Sequence, residues 1–141
     1  MCIRDRLYVV IGVAVWLAEI PRAEAFCLAL ILAFAIERPF YFLLKIGLKR
    51  NRPEQVMPSI KAAVVPADQF SFPSGHTSAA FCFATIAGML LTGPHNPFFL
   101  WASAIGLSRI MLAVHFPCDV MAGAIIGSTI ATISAGLVSA L

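Results

Sequence analysis

The sequence predicts a polytopic, all-α transmembrane fold with about five visible spans, and three observations carry that prediction. Of the 141 residues, 60% are hydrophobic and only 12% are charged, against about 45–50% apolar residues in soluble domains. Mean hydropathy is +0.90. Apolar segments recur along the whole chain, separated by turn-forming residues, with no internal repeat and no low-complexity tract. Residues 1–141 therefore read as one integral membrane domain with no soluble module.

Residues 7–20 (LYVVIGVAVWLAEI) form the first segment and fall short of the roughly 20 residues needed to cross the hydrocarbon as a helix. The preceding MCIRDR is polar and ends abruptly against that run. Residues 1–6 resemble translated sequencing-adapter text and are read as non-native, with the natural N-terminus missing. The second segment covers residues 25–44 and is interrupted at Glu37-Arg38-Pro39. Charge is costly at that depth, and pairing of Glu37 with Arg38 or with the basic residues beyond is the structural explanation. The third runs over residues 76–91 and is closed by TGPHNP; the fourth covers 97–114 and the fifth 119–141. Only residues 45–73 make a long polar connection.

Each span reverses the side, so the connections at 45–73 and 115–119 share one face and His95, in the connection at 92–97, lies on the other. Phe40, Tyr41 and Phe42 read as an interfacial aromatic belt, and Trp16 and Trp101 as interface anchors. Gly123 and Gly127 form G-x-x-x-G, read as close packing inside the bundle, with a dimer contact as the alternative. Cys2, Cys27, Cys82 and Cys118 stand singly with no C-x-x-C spacing, which argues against a structural zinc or a redox pair. The formal charge of +3 matters only through where the cations sit.

Three polar clusters fall on the shared face. In KIGLKRNRP, residues 45–53, a helix continued to its end would put Lys45, Lys49 and Arg52 on one stripe at i, i+4 and i+7, with Arg38 deeper on it. Pro53 disfavours helix at Arg52. Such a ladder suits a phosphate, lysine as a point charge and arginine as a planar fork; an interfacial anchor for headgroups is the simpler alternative. In FSFPSGHTSAAF, residues 70–81, Ser74 can cap a helix, Gly75 permits close backbone approach and His76 stands in the first turn. A histidine resting at the interface after a Pro-Ser-Gly turn is the bland reading. In SRIMLAVHFPCDV, residues 108–120, Pro117 and Asp119 fit a first helical turn with His115 just outside it. Asp119 can then hold one imidazole nitrogen and leave the other lone pair outward, as in a nucleophile or base; Asp119 favouring the helix dipole is the alternative. Arg109 lies within reach of the same point.

Lys45 with Arg52-Pro53, Pro73-Ser74-Gly75-His76, and Ser108-Arg109 with His115 and Asp119 together resemble the three-part signature of the type 2 phosphatidic acid phosphatase (PAP2) superfamily. All eleven signature positions are present in order, and HFPCDVMAG is similar to the family's run into its last helix. The resemblance implies a helical bundle, usually of six spans in complete membrane members. It implies a metal-independent lipid phosphate or diphosphate phosphatase needing no cofactor. In that mechanism His115 would attack phosphorus to form a phosphohistidine, Asp119 would hold its ring, and His76 would protonate the departing oxygen and then activate water. Lys45, Arg52, Ser74, Gly75 and Arg109 would bind the phosphoryl oxygens.

The implied partner is a membrane lipid phosphate, not nucleic acid: undecaprenyl diphosphate, phosphatidylglycerophosphate and phosphatidate all suit. A lipid phosphotransferase and a non-catalytic membrane protein binding anionic lipid are the alternative functions. The implied location is a bacterial inner membrane with the site on the periplasmic face. The positive-inside rule opposes this, since Lys45, Lys49, Arg50, Arg52 and Lys61 share that face; cations kept for phosphate do not count as topology signals.

Overall fold

The computed structural model describes residues 3–17, 21–57, 59–66, 68–92 and 97–141, with side chains from Val10 onward. Cys2, His95 and the side chains of the MCIRDR stretch lie outside the described residues. The helices are α1 (Ile3–Leu17), α2 (Ala23–Leu48), the single turn α3 (Pro53–Val56), α4 (Gly75–Ala87), α5 (Phe98–Met111) and α6 (Pro117–Ser139). A π-helical turn, Gly88–Thr92, continues α4. Among the described residues there is no strand.

Small residues explain why α4 is the central helix. Ala79, Ala80, Ala84 and Ala87 let neighbours approach on every side, and all but two of its thirteen residues are buried. Gly123 and Gly127 bring α6 against it: a Cβ on Gly123 would stand 2.6 Å from the Ser74 carbonyl oxygen, and one on Gly127 2.1 Å from that of Ser78. The G-x-x-x-G pair thus packs within the bundle, as its sequence context predicts. On another side Phe26, Ala29, Leu30 and Ala33 of α2 join Phe83 and Ile86 in the core. Phe83 meets Phe26 and Trp101 edge-on at 6.0 Å each, so the half-buried Trp101 ring packs against the core. Trp16 is exposed.

Among the described residues three stretches are long and apolar enough to cross a membrane: Ala23–Val56, Gly75–Thr92 and Pro117–Ser139. The apolar α5 is shorter. Ile31, Leu43, Ile125 and Ile133 of α2 and α6 remain exposed on the bundle exterior, a surface suited to hydrocarbon.

One expectation about α2 fails, and the polar break in its apolar run leaves the helix intact. α2 runs through Glu37-Arg38-Pro39 unbroken. Proline removes one intrahelical bond, but Pro39 is on the exposed side, while buried Glu37 is tied to α4 by the Ser78 hydroxyl, which donates to it at 2.7 Å. Glu37 pairs with Arg38 at 3.3 Å, as the sequence reading anticipates. The i, i+4, i+7 stripe is the expectation that fails: the helix stops at Leu48 and Lys49 turns left-handed at φ 45°. Lys49 is left exposed.

Candidate functional site

That left-handed turn sends the chain back over the end of the bundle, where it meets the start of α4 and the α5–α6 connection. The Ser71 amide donates to the Arg50 carbonyl at 2.8 Å, Ala63 to Leu112 at 3.1 Å and Ser74 to the Asp119 carbonyl at 3.0 Å. The Arg52 guanidinium donates through Nη1 to the Val114 carbonyl, beside His115. The connections at 45–73 and 115–119 therefore share one end, as the count of reversals predicts.

Lys45 and Arg52 come together there, although not along a helix. Lys45 is the buried last-turn residue of α2; Arg52 arrives from the returning chain in extended conformation, just before Pro53 opens α3. Both grip Asp68. Lys45 Nζ lies 2.7 Å from Asp68 Oδ2, Arg52 Nη2 donates to Oδ1, and Arg52 Nε and Nη2 reach the Asp68 carbonyl at 3.2 and 3.1 Å. The Tyr41 hydroxyl donates to Asp68 Oδ2 at 2.6 Å and accepts from Lys45 Nζ. Partial burial pushes the Asp68 carboxyl up, but hydrogen bonds from Lys45 and Tyr41 and the charges of Lys45 and Arg52 outweigh it and hold the group below the usual carboxylate range.

The sequence marks neither Asp68 nor Tyr41 as a site residue. Tyr41 is buried against this cluster, which corrects its assignment to an aromatic belt; Phe40 and Phe42 on either side are exposed. The available signal was its position four residues before Lys45, on the same helix face. Asp68 gives no periodic signal in its irregular loop.

The second half of the site centres on Asp119, fully buried in the first turn of α6 where Pro117 starts the helix. Its Oδ1 accepts from Arg50 Nη1 at 2.8 Å, and Oδ2 accepts from the Phe116 amide at 2.9 Å and from the Ser71 hydroxyl. Arg50 also lies over the Phe116 ring at 4.6 Å and reaches Cys118 Sγ at 3.0 Å. Arg50 and Ser71 are further residues the sequence reading did not single out. Buried His115 directs Nδ1 toward Asp119 Oδ2, but at 3.9 Å, too far for a hydrogen bond. The expected direct bond is therefore absent: Oδ2 is already engaged by Ser71 and Phe116, and His115 Nδ1 is buried with no hydrogen-bond partner among the described residues.

Ser74, Gly75 and His76 open α4 beside this cluster. Ser74 takes the expected cap position, yet its hydroxyl meets the Thr77 hydroxyl at 2.9 Å and makes no cap bond to a backbone amide. A Cβ on Gly75 would stand 2.7 Å from Tyr41 Cε2, so the missing side chain admits the Tyr41 ring. His76 is half-buried, as is Arg109 in the last turn of α5. The Arg109 carbonyl accepts from the Val114 amide at 3.2 Å, which ties it to the segment bearing His115. Among the described residues no three His, Cys, Asp or Glu side chains gather around a point where a metal ion could sit.

Known proteins are similar to this chain in sequence and fold. The chain is 31% identical over 135 residues to a "Probable lipid phosphate phosphatase beta" of Arabidopsis thaliana, covering 76% of this chain and 63% of the relative. It is 32% identical over 112 residues to "Phosphatidylglycerophosphatase B" of Bacillus subtilis, covering 71% and 52% respectively. The chain thus spans only half to two-thirds of the length of these relatives. The crystal structure of Aquifex aeolicus LpxE superposes with a TM-score of 0.78 at 30% identity, over 92% of this chain and 76% of that one. The sequence model of the PAP2 superfamily matches residues 23–140, all three clusters included, and the chain belongs to that superfamily.

Proposed function

We propose that this chain hydrolyses a lipid phosphate or diphosphate at the membrane surface through a phosphohistidine intermediate. What supports the reading above all is the gathering of cations and a histidine–carboxylate pair at one end of an apolar bundle: Lys45 and Arg52 on one side, His115 and Asp119 on the other, bridged where Arg52 donates to Val114. The similarity to proteins named for lipid phosphates points the same way.

In this mechanism His115 turns Nδ1 toward Asp119 and Nε2 toward phosphorus. Nε2 attacks, the bond from phosphorus to the lipid oxygen breaks, and His76 gives that oxygen its proton. His76 then takes a proton from water, whose oxygen displaces His115 and releases inorganic phosphate. Lys45, Arg52 and Arg109, with the Ser74 hydroxyl and the Gly75 amide, neutralise the phosphoryl oxygens through both steps. Asp119, held by Arg50, Ser71 and the Phe116 amide, orients the imidazole and stabilises its charge.

The test is phosphate release in detergent with EDTA present, offering phosphatidate, phosphatidylglycerophosphate and undecaprenyl diphosphate in parallel. Release from at least one lipid above a protein-free blank is expected; transfer of phosphate to a lipid acceptor in place of water would make the protein a phosphotransferase. Lipid binding with no turnover of any of the three would leave only the anionic-lipid-binding function.

We place the site on the periplasmic face of a bacterial inner membrane. Lys45 and Arg52 are engaged in the site, so they do not count as cytoplasmic anchors. A Lys61→Cys variant, in a background with Cys118→Ser, is expected to react with a membrane-impermeant maleimide added to intact spheroplasts. Reaction only after the cells are opened would reverse the orientation.

A further inference from the structure

We infer that the Asp68 carboxylate is an internal stand-in for the substrate's phosphate, occupying the donors of Lys45, Arg52 and Tyr41 until a phosphoryl group displaces it. This rests on the reading of Lys45 and Arg52 as phosphate ligands. Donor accounting carries it. A guanidinium has five N–H bonds; in Arg52, Nε is spent on the Asp68 carbonyl, Nη2 on that carbonyl and on Oδ1, and one Nη1 hydrogen on Val114. One N–H remains, so Arg52 cannot grip a phosphate with two parallel bonds while Asp68 stays in place. The Tyr41 hydroxyl donates its single proton to the same carboxylate.

Three donors from Tyr41, Lys45 and Arg52 converge on two carboxylate oxygens, a cradle with the charge and the acceptor demand of a phosphoryl group. Asp68 is also the member able to leave. Its side chain is 40% exposed, against 6% for Lys45 and 8% for Arg52, and it sits in the irregular loop between α3 and α4. The cations are fixed in the bundle end; the carboxylate approaches them from the water side.

Displacement weakens phosphate by the fraction of molecules with the cradle open, so a fraction of about one tenth costs about tenfold in apparent affinity. The return of Asp68 equally helps to expel inorganic phosphate after hydrolysis. Tyr41, through its hydroxyl, becomes a further phosphate ligand.

Calorimetric titration of inorganic phosphate into the protein in detergent, beside lipid-phosphate hydrolysis, tests this. For Asp68→Asn and Asp68→Ala the phosphate Kd is expected to fall about tenfold, with KM lowered and product inhibition strengthened together. Asp68→Glu, which keeps the charge, is expected to retain weak phosphate binding. Unchanged or weaker phosphate binding in both neutral variants, with melting temperatures showing them folded, would overturn the inference and make Asp68 a residue that merely positions Lys45 and Arg52. Hydrolysis by wild type with no gain in either neutral variant defeats this inference alone; tighter phosphate binding without hydrolysis in any protein supports it while defeating the phosphatase reading.

Discussion

Alanine at position 115 is expected to lower phosphate release from the preferred lipid by about 10⁴-fold or more, the scale seen when a covalent nucleophile is removed. The loss should be chemical and not structural. The segment bearing His115 is held by main-chain groups that the substitution leaves intact: the Val114 amide on Arg109, the Val114 carbonyl under Arg52, and the Asp119 amide on Phe116 at 3.0 Å. Truncating the imidazole removes a buried nitrogen that has no hydrogen-bond partner, so it strands no other polar group. The melting temperature of His115→Ala should therefore stay close to wild type while the rate disappears. Phosphate release by this variant within about a hundredfold of wild type would exclude His115 as the attacking group.

Valine at position 127 is expected to act on the opposite property, leaving the chemistry of every site side chain unchanged and destroying the packing beneath them. A Cβ there would lie 2.1 Å from the Ser78 carbonyl oxygen, 2.9 Å from its carbon and 3.1 Å from the Cys82 nitrogen. All three are main-chain atoms of α4, which cannot turn aside as a side-chain tip can. Relief requires α4 and α6 to separate, and that opens the core around Phe83 and Ala131. A cost of about 3 kcal/mol or more is expected, at or beyond the upper end for overpacked cores. Gly136→Ala is the control, because nothing lies within 4 Å of its added Cβ; it should move stability by less than about 0.5 kcal/mol. Equal unfolding midpoints for the two variants in a detergent titration would disprove the tight α4–α6 contact.

These two positions also separate what the sequence could reveal from what it could not. Gly127 was legible because its significance is a spacing, and spacings on a helix map directly onto faces. The first turn of α6 was legible for the same reason: Pro117 and Asp119 announce it by position. Asp68, Arg50 and Ser71 were not, because their partners lie on other elements. Asp119 draws on Arg50 and Ser71 across 69 and 48 residues, and no local pattern encodes such a pairing. Tyr41 was misassigned because aromatic clusters near charged residues fit a membrane boundary equally well; only the position of the returning loop decides between the two. The missing His115–Asp119 hydrogen bond has a similar origin, since competition for Oδ2 by Ser71 depends on tertiary contacts.

The left-handed residue Lys49 sets a design rule for this end of the molecule. Were α2 to continue to position 52, the Cα of Arg52 would stand about 10 Å farther along the axis than that of Lys45. Instead the chain reverses, and both side chains close on one carboxylate. The seven-residue interval between them is thus a length of folded-back chain and not two turns of pitch. Residues that favour helix at positions 49–51, which would be conservative or even beneficial by local propensity, work here against the encounter of the two cations.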